Sequence, residues 1–503
     1  MKPQRFLPIY ATGVIGKSSL GYMVDYGRCH WENFLGNFEN SFCDASFEGP
    51  DELSTIESKH THLLHPVATP VFPSVEKAIT KSAEQAVGTF KNDADHPTSP
   101  LLVEKKEKIR SEKLQAQDLW PIATTCVSSH NNTEEFCIYA NPGFAGGRGI
   151  TILTTPSEAL KLAKSPAFEQ KDLYKTVKNF NAPESDKWHV ENVPNKGMGL
   201  VASHNLPLGD HIMSVSAAIM TDFSMWDHVS EEQVRSMQAE AISHLPKHHE
   251  KIFMNLSTHD AVQSREEQVY KIILTNAFDI SDIEVINRPS GEQAVNFFTV
   301  FPEVSRMNHD CRPNAHYYWD PDTFTQNVWA TRPITAGEEI TITYVDMLLP
   351  RDERVTRLDH TWHFPCACTQ CTQMDRIVEA SDARIAQITD LQRHFNDYSE
   401  ESYASPEMAE TLISLYEQER LYSRMYEVYT YAAVEYNAVG RPWEAIKYAR
   451  LAIGHGFVAR GAKNEDPFDL EVLAQDPWEH WSFMIRRKEA NGKPTGGHIT
   501  TSG

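Results

Sequence analysis

Three cysteines stand close together within 366–371, as Cys366-x-Cys368-x-x-Cys371. Thiolates at this spacing satisfy three corners of a tetrahedral Zn²⁺ site, at about 2.3 Å per Zn–S bond. A structural site is closed by a fourth ligand. The best candidate is Cys311, in MNHDCRPN (307–314), with His309 and His363 as alternatives. Thiolate ligation leaves no open position for catalysis, so the expected metal is a staple between the middle of a β domain and its tail. Cys29, Cys43, Cys126 and Cys137 are scattered in the first third and are not expected as ligands. Cys126 and Cys137 are read as free thiols of a reducing compartment, with pairing reserved for an exported chain.

Two further segments carry candidate chemistry. Lys196-Gly197-Met198-Gly199 opens a strand. GEEITITY (337–344) ends in Tyr344. Read in isolation, Asn308 and Asn314 are turn residues and Tyr344 a core tyrosine at a strand end. The glycines of PGFAGGRG (142–149) lack the Walker lysine and the dinucleotide spacing, so a hairpin turn is expected between FCIYA (136–140) and GITIL (149–153).

The elements that must position these residues follow from periodicity. KKEKIRSEKLQ (105–115) predicts an exposed helix. GLVASH (199–204), HIMSVSA (211–217), NFFTV (296–300), QNVWAT (326–331) and EITITY (339–344) read as strands. Between about 226 and 287 the period is helical, with capping-box spacing at Ser230/Gln233 and Ser264/Glu267. After Cys371 the chain reads as helical, and Ser405–Pro406 opens one helix. In 431–456, Ala433, Tyr436, Ala445, Ala449 and Ala452 follow a tetratricopeptide-like rhythm, in a single copy. The class is therefore α+β with a helical appendage.

Length and charge bound the function. At ~150 residues per domain, 503 residues suggest about three domains. With 47 basic against 69 acidic residues the net charge is −22, which argues against gripping a nucleic-acid backbone and is compatible with a basic, lysine-rich protein substrate. No apolar run reaches the ~18 residues of a membrane span. The start MKPQRFLPIYATGVIG only faintly suggests a leader, because Pro8 interrupts it, so export is a minority expectation beside a cytoplasmic or nuclear location. Sequons at Asn131 and Asn255 carry no weight.

In this order, Gly197-Met198-Gly199, MNHDCRPN, GEEITITY and FPCACTQC (364–371) resemble the SET-domain protein lysine methyltransferases with their post-SET zinc knuckle. The run from GEEITITY to FPCACTQC and the helical tail are similar to the SET-and-MYND (SMYD) subfamily. The resemblance covers roughly 186–460. No MYND finger can be built from the remaining cysteines, so docking ascribed to that finger is not implied.

The resemblance implies a SET-domain β-fold with a helical insertion (about 226–287), a pseudoknot formed by 307–314, a zinc-binding post-SET segment and a tetratricopeptide-like helical C-terminal lobe. The expected division is a loosely ordered region (1–115), a small β-containing segment (116–185), the SET domain (186–350), the zinc knuckle (351–376), the helical lobe (377–490) and a flexible tail (491–503). The implied activity is protein-lysine N-methylation with S-adenosylmethionine as donor, on a histone or another protein. The alternative is a catalytically silent SET fold acting as a scaffold, with the helical lobe as its partner surface. The donor is expected on Lys196, Gly197, Met198, Gly199, Asn308 and His309, with the bare backbone of the glycines against it, Phe364 stacked over its adenine and Tyr344 at the transferring methyl. One structural Zn²⁺ is expected on Cys311, Cys366, Cys368 and Cys371. Ile342, where SET enzymes often place Phe or Tyr, leaves the number of methyls added open.

Overall fold

The computed structural model describes residues 100–130, 133–170, 173–176, 186–258, 261–281, 295–397, 402–461 and 468–486. The N-terminal region through 99, with the stretch weighed as a leader, Cys29 and Cys43, the sequon at Asn131 and the tail from 491 lie outside the described residues. Among the described residues no helix is long and apolar enough to cross a membrane.

The elements run α1 (Pro100–Leu119), β1 (Ile122–Ser128), β2 (Glu135–Asn141), β3 (Ile150–Thr154), α2 (Pro156–Ala163), β4 (Trp188–Val193), β5 (Gly197–Ala202), β6 (His211–Ser216) and β7 (Ile219–Asp222). Next come α3 (Glu231–Ser243), α4 (Lys247–Met254), α5 (Arg265–Asn276), β8 (Phe278–Ser281), β9 (Asn296–Val300), β10 (Asn308–His309), β11 (Ala315–Asp320), β12 (Thr325–Ala330) and β13 (Glu339–Ile342). The chain then turns helical: α6 (Arg351–Trp362), α7 (Asp375–His394), α8 (Pro406–Gln418), α9 (Met425–Ala438), α10 (Pro442–Arg460) and α11 (Leu470–Gln475). Helix α1 contains the expected 105–115 stretch and runs on past residue 115.

Among the described residues the strands form three sheets, in orders β1-β2-β3-β7-β9-β8, β10-β13-β5-β4 and β11-β12-β6. Described strands upstream and downstream of residue 186 share one sheet. β3 pairs in parallel with β7, Thr151 opposite Ile219, so both halves share the six-stranded sheet. β2 and β3 form the expected hairpin. In its connection Ala145 and Gly146 are left-handed, and a Cβ on Gly149 (φ +78°) would lie 2.5 Å from Pro246 Cδ. Cys126 and Cys137 face one another across β1 and β2 and form a disulfide. This corrects the expectation of free thiols: direct cross-strand register brings the two sulfurs together, which their separate positions in sequence did not reveal.

Side-chain caps start the insertion helices. Ser230 and Gln233 form the full capping box of α3, and Ser264 Oγ accepts from the Glu267 N–H at α5. The apolar faces of α3, α4 and α5 (Val234, Ile242, Phe253, Ile273) pack on Phe136, Ile138 and Leu153 of the sheet. In the helical lobe Ser405 Oγ caps α8, with Pro406 at its first position. Ala433, Tyr436, Ala445, Ala449 and Ala452 are all buried between helices. Small side chains there let α9 and α10 approach closely. Phe457 of α10 packs edge-on to Trp329 of β12, joining lobe to β domain.

Candidate active site

The motif strands meet in the four-stranded sheet. β10 lies parallel to β13, Asn308 opposite Thr341 and His309 opposite Ile342, while β13 pairs with β5, Ile340 opposite Leu200. Asn314, left as a turn residue by its sequence context, is a buried latch. Its amide Oδ1 accepts the Thr341 N–H at 2.8 Å and its Nδ2 donates to the Glu339 carbonyl at 2.8 Å. The side chain thus replaces a strand partner at β13 and explains why MNHDCRPN and GEEITITY occur together.

Glu339 organises the expected donor residues. Asn308 Nδ2 donates to its Oε1 at 2.8 Å, and Lys196 Nζ to its Oε2 at 2.7 Å. A Cβ on Gly199 would fall 2.8 Å from Asn308 Nδ2, 2.8 Å from Val193 Cγ2 and 2.9 Å from Glu339 Oε1. On this face Gly199 makes room for the protein's own side chains, a reason different from the expected bare backbone for a ligand. Gly197, at φ +77°, has open space where its Cβ would be. Sequence reading missed Glu339. Its only signal was its place as the second glutamate of GEE.

Tyr344 stands just beyond β13. Its backbone N–H donates to His309 Nδ1 at 3.0 Å and its hydroxyl to the Met307 carbonyl at 2.7 Å. Trp362, His309 and Phe364 lie around its ring, at centroid distances of 5.2, 5.4 and 6.5 Å. Phe278 stacks edge-on to Tyr317 at 5.0 Å, and both join Tyr344 against the main core. Burial, with Glu339 and Tyr317 adding to it, pushes the Tyr344 phenol above its ordinary range, so the hydroxyl stays protonated.

The four expected cysteine ligands converge. The Sγ atoms of Cys311, Cys366, Cys368 and Cys371 all lie within 4.8 Å of one another. Cys311 Sγ is 3.5 Å from Cys371 Sγ and 4.0 Å from Cys366 Sγ. A tetrahedron with Zn–S bonds of about 2.3 Å has S–S edges of roughly 3.8 Å, so the donor set and its spacing fit one zinc ion. His309, an alternative ligand by sequence, instead places Nε2 3.3 Å from Cys311 Sγ, outside the set. Arg354 is buried, 1% exposed. Burial opposes its charge, and the nearby Cys311 and Cys371 sulfurs more than offset that.

A cleft of about 420 Å³ opens beside β4 and β5. Trp188 and Val190 of β4 and Met198 and Leu200 of β5 form its apolar wall. Ile252 and Asn255, at the end of α4, and Pro302, Glu303 and Arg306, before β10, complete it. Arg306 Nη2 donates to the Asn255 carbonyl at 2.8 Å, and Glu303 pairs with Arg148 at 2.8 Å. Of these lining residues only Met198 was a sequence-stated candidate. The others lie in unrelated segments that no motif links.

Residues 197–345 match the SET domain family. This part of the chain is a SET domain. The chain is 30% identical over 215 residues to the histone-lysine N-methyltransferase set5 of Schizosaccharomyces pombe, covering 42% of this chain and 57% of that protein. It is 30% identical over 197 residues to the human N-lysine methyltransferase SMYD2, covering 35% and 43% respectively. Against SMYD2-B of Xenopus laevis it is 30% identical over 120 residues, 24% of this chain and 26% of that protein. The chain thus spans about half the length, or less, of these relatives.

Proposed function

We propose that this protein is a protein-lysine N-methyltransferase using S-adenosylmethionine. The observation that carries the reading is Tyr344, held through its own amide by His309 and through its hydroxyl by Met307, inside the span that matches the SET domain. The donor supplies an electrophilic methyl group when bound. Its residues here are Met198 and Leu200 with the cleft residues Asn255 and Arg306, the backbone of Gly197, Asn308 and His309, and Phe364. Apolar walls suit a nucleoside, and the Arg306 cation suits an amino-acid carboxylate.

The chain's own groups deal with the acceptor. A lysine ammonium, with a pKa near 10.4, cannot attack. Surrounded by Tyr344, Tyr317 and Phe278, it is desolvated and yields its proton more readily. The Tyr344 hydroxyl orients the amine and does not act as base, because its proton is held. Orientation and desolvation supply most of the rate. Zn²⁺ on Cys311, Cys366, Cys368 and Cys371 is structural, anchoring Phe364 from the knuckle. We read 307–314 as the pseudoknot segment and α9–α10 as the tetratricopeptide-like pair of a lobe that faces protein partners. The substrate is a protein lysine, on a histone or elsewhere. The reduced thiols a zinc site needs favour a cytoplasmic or nuclear location, and the Cys126–Cys137 disulfide is the observation that favours export.

The test is donor titration by calorimetry, followed by transfer of a labelled methyl into a whole-proteome extract with acceptors mapped by mass spectrometry. Donor binding with labelled lysines is expected. Binding without any labelled lysine moves the reading to the silent scaffold, and absence of donor binding defeats it.

A further inference from the structure

Arg312 follows Cys311 directly and is fully buried, its side chain 0% exposed. Its Nη2 donates to Glu419 Oε2 at 2.7 Å, and Glu419 is 1% exposed at the end of α8 in the helical lobe. Two more lobe groups satisfy the same carboxylate. Ser381 Oγ donates to Oε2 and Arg384 Nε to Oε1, each at 2.7 Å. Gln370, in the cysteine knuckle, donates to Ser381 Oγ at 2.7 Å. On its other side, Arg312 Nη1 donates to the Cys311 carbonyl at 2.8 Å. Cys311 Sγ meets His309 Nε2, and His309 Nδ1 accepts the Tyr344 N–H. One hydrogen-bonded path therefore runs from the lobe to the tyrosine.

A buried ion pair is weak evidence for stability, since apolar residues of similar volume often serve as well. Its better attested use is to set register between packed elements. Here the elements registered are the lobe and the loop that carries a cysteine of the cluster.

We propose that Glu419 is a positioning residue of the methyl-transfer site: through Arg312 the helical lobe fixes the Cys311–His309 loop and, through His309, the backbone of Tyr344. This rests on the methyltransferase reading for its functional consequence, but the register itself does not. It assigns the lobe a part in building the site, beyond any role as a partner surface.

The test is the double variant Arg312→Met/Glu419→Met, which removes both charges of the pair together and leaves only the partly exposed Arg384 without its carboxylate. Hydrogen exchange of peptides spanning 307–314 and 343–346 is read without donor, and donor affinity is read separately by calorimetry. Exchange in both peptides is expected to rise ~10-fold or more in a cooperatively folded double variant, with donor affinity falling by a similar factor. Parent-like exchange and affinity in that variant overturn the proposal and leave the pair as lobe packing. Should the double variant fail to fold, Glu419→Asp keeps the charge and shortens its reach. It is expected to raise exchange in the same two peptides, and unchanged exchange there overturns the proposal equally. A parent chain that binds no donor defeats the functional reading instead, and is recognised because the exchange contrast needs no donor.

Discussion

His309 Nδ1 accepts the backbone N–H of Tyr344, so the single proton of the neutral ring sits on Nε2 and points at Cys311 Sγ. Burial holds this imidazole far below its usual range, at about 3, so the neutral form is the one present near neutrality. The cysteine cluster and the tyrosine are in this way parts of one hydrogen-bonded unit.

Tyr344→Phe removes the hydroxyl that donates to the Met307 carbonyl and keeps the ring against Trp362 and Phe364. Loss of one such bond costs about 1 kcal/mol of stability. Donor affinity should stay within about threefold, while the single-turnover transfer rate falls ~10²-fold, the scale of one oriented polar group acting in the transition state. An unchanged rate would assign the hydroxyl to structure alone.

Elemental analysis of the purified chain should give about one zinc, held by the four clustered cysteines. Cys368→Ser should lower that content sharply and weaken donor binding with it, because Phe364 precedes the knuckle directly. A variant that keeps its full zinc refutes the ligand set.

The two glycines of β5 should respond differently to alanine. At Gly199 the new Cβ meets Asn308, Val193 and Glu339 at 2.8–2.9 Å. Overpacking of this kind costs about 1–3 kcal/mol, and displacing Asn308 should also weaken donor binding. At Gly197 the space is open but φ is +77°, so Gly197→Ala should cost about 1 kcal/mol through backbone strain. Urea midpoints and donor calorimetry on both variants separate the cases. Equal donor affinity in Gly199→Ala and parent would remove Asn308 from the donor site.

Acid should destabilise the fold through His249. Its Nδ1–H donates to the Arg148 carbonyl at 2.8 Å, and Nε2 accepts from the Arg148 guanidinium at 3.0 Å. Burial first, and then the Arg148 charge, lower its pKa to about 3. The unfolded chain, with a pKa near 6.5, therefore binds the extra proton first as pH falls. Stability is full above about pH 6.5 and declines toward pH 3, by up to ~1.4 kcal/mol per pH unit for such a group. His249→Gln keeps a donor and an acceptor without titrating. Its urea midpoint should fall less between pH 7 and pH 5 than the parent's, and an identical slope would rule this histidine out.

What could be read in advance follows the range of each interaction. The thiolate spacing of the knuckle and the strand pattern of GEEITITY are local, and the caps at Ser230 and Ser264 are decided within four residues. Long-range relations left no such trace. Arg312 and Glu419 are 107 positions apart, and each alone reads as an ordinary surface charge. Nothing local in GEEITITY marks Glu339 as the residue on which Asn308 and Lys196 converge. The Cys126–Cys137 pair needed strand register, which depends on which residues the β1–β2 turn consumes. The cleft beside β5 needed α4, whose packing there no motif encodes.

The parallel pairing of β3 with β7 makes the family span an incomplete unit of inheritance and of expression. A fragment cut just before β4 would strip β7 of its neighbour and bare the apolar faces of Val234 and Ile242 that Phe136, Ile138 and Leu153 now cover. An open strand edge beside exposed apolar surface invites self-association. Recombination that moved the SET segment alone into another chain would carry the same defect. Here the strands upstream of residue 186 must travel with it, and any shortened version for study is best begun ahead of α1 rather than at the first glycine of the motif.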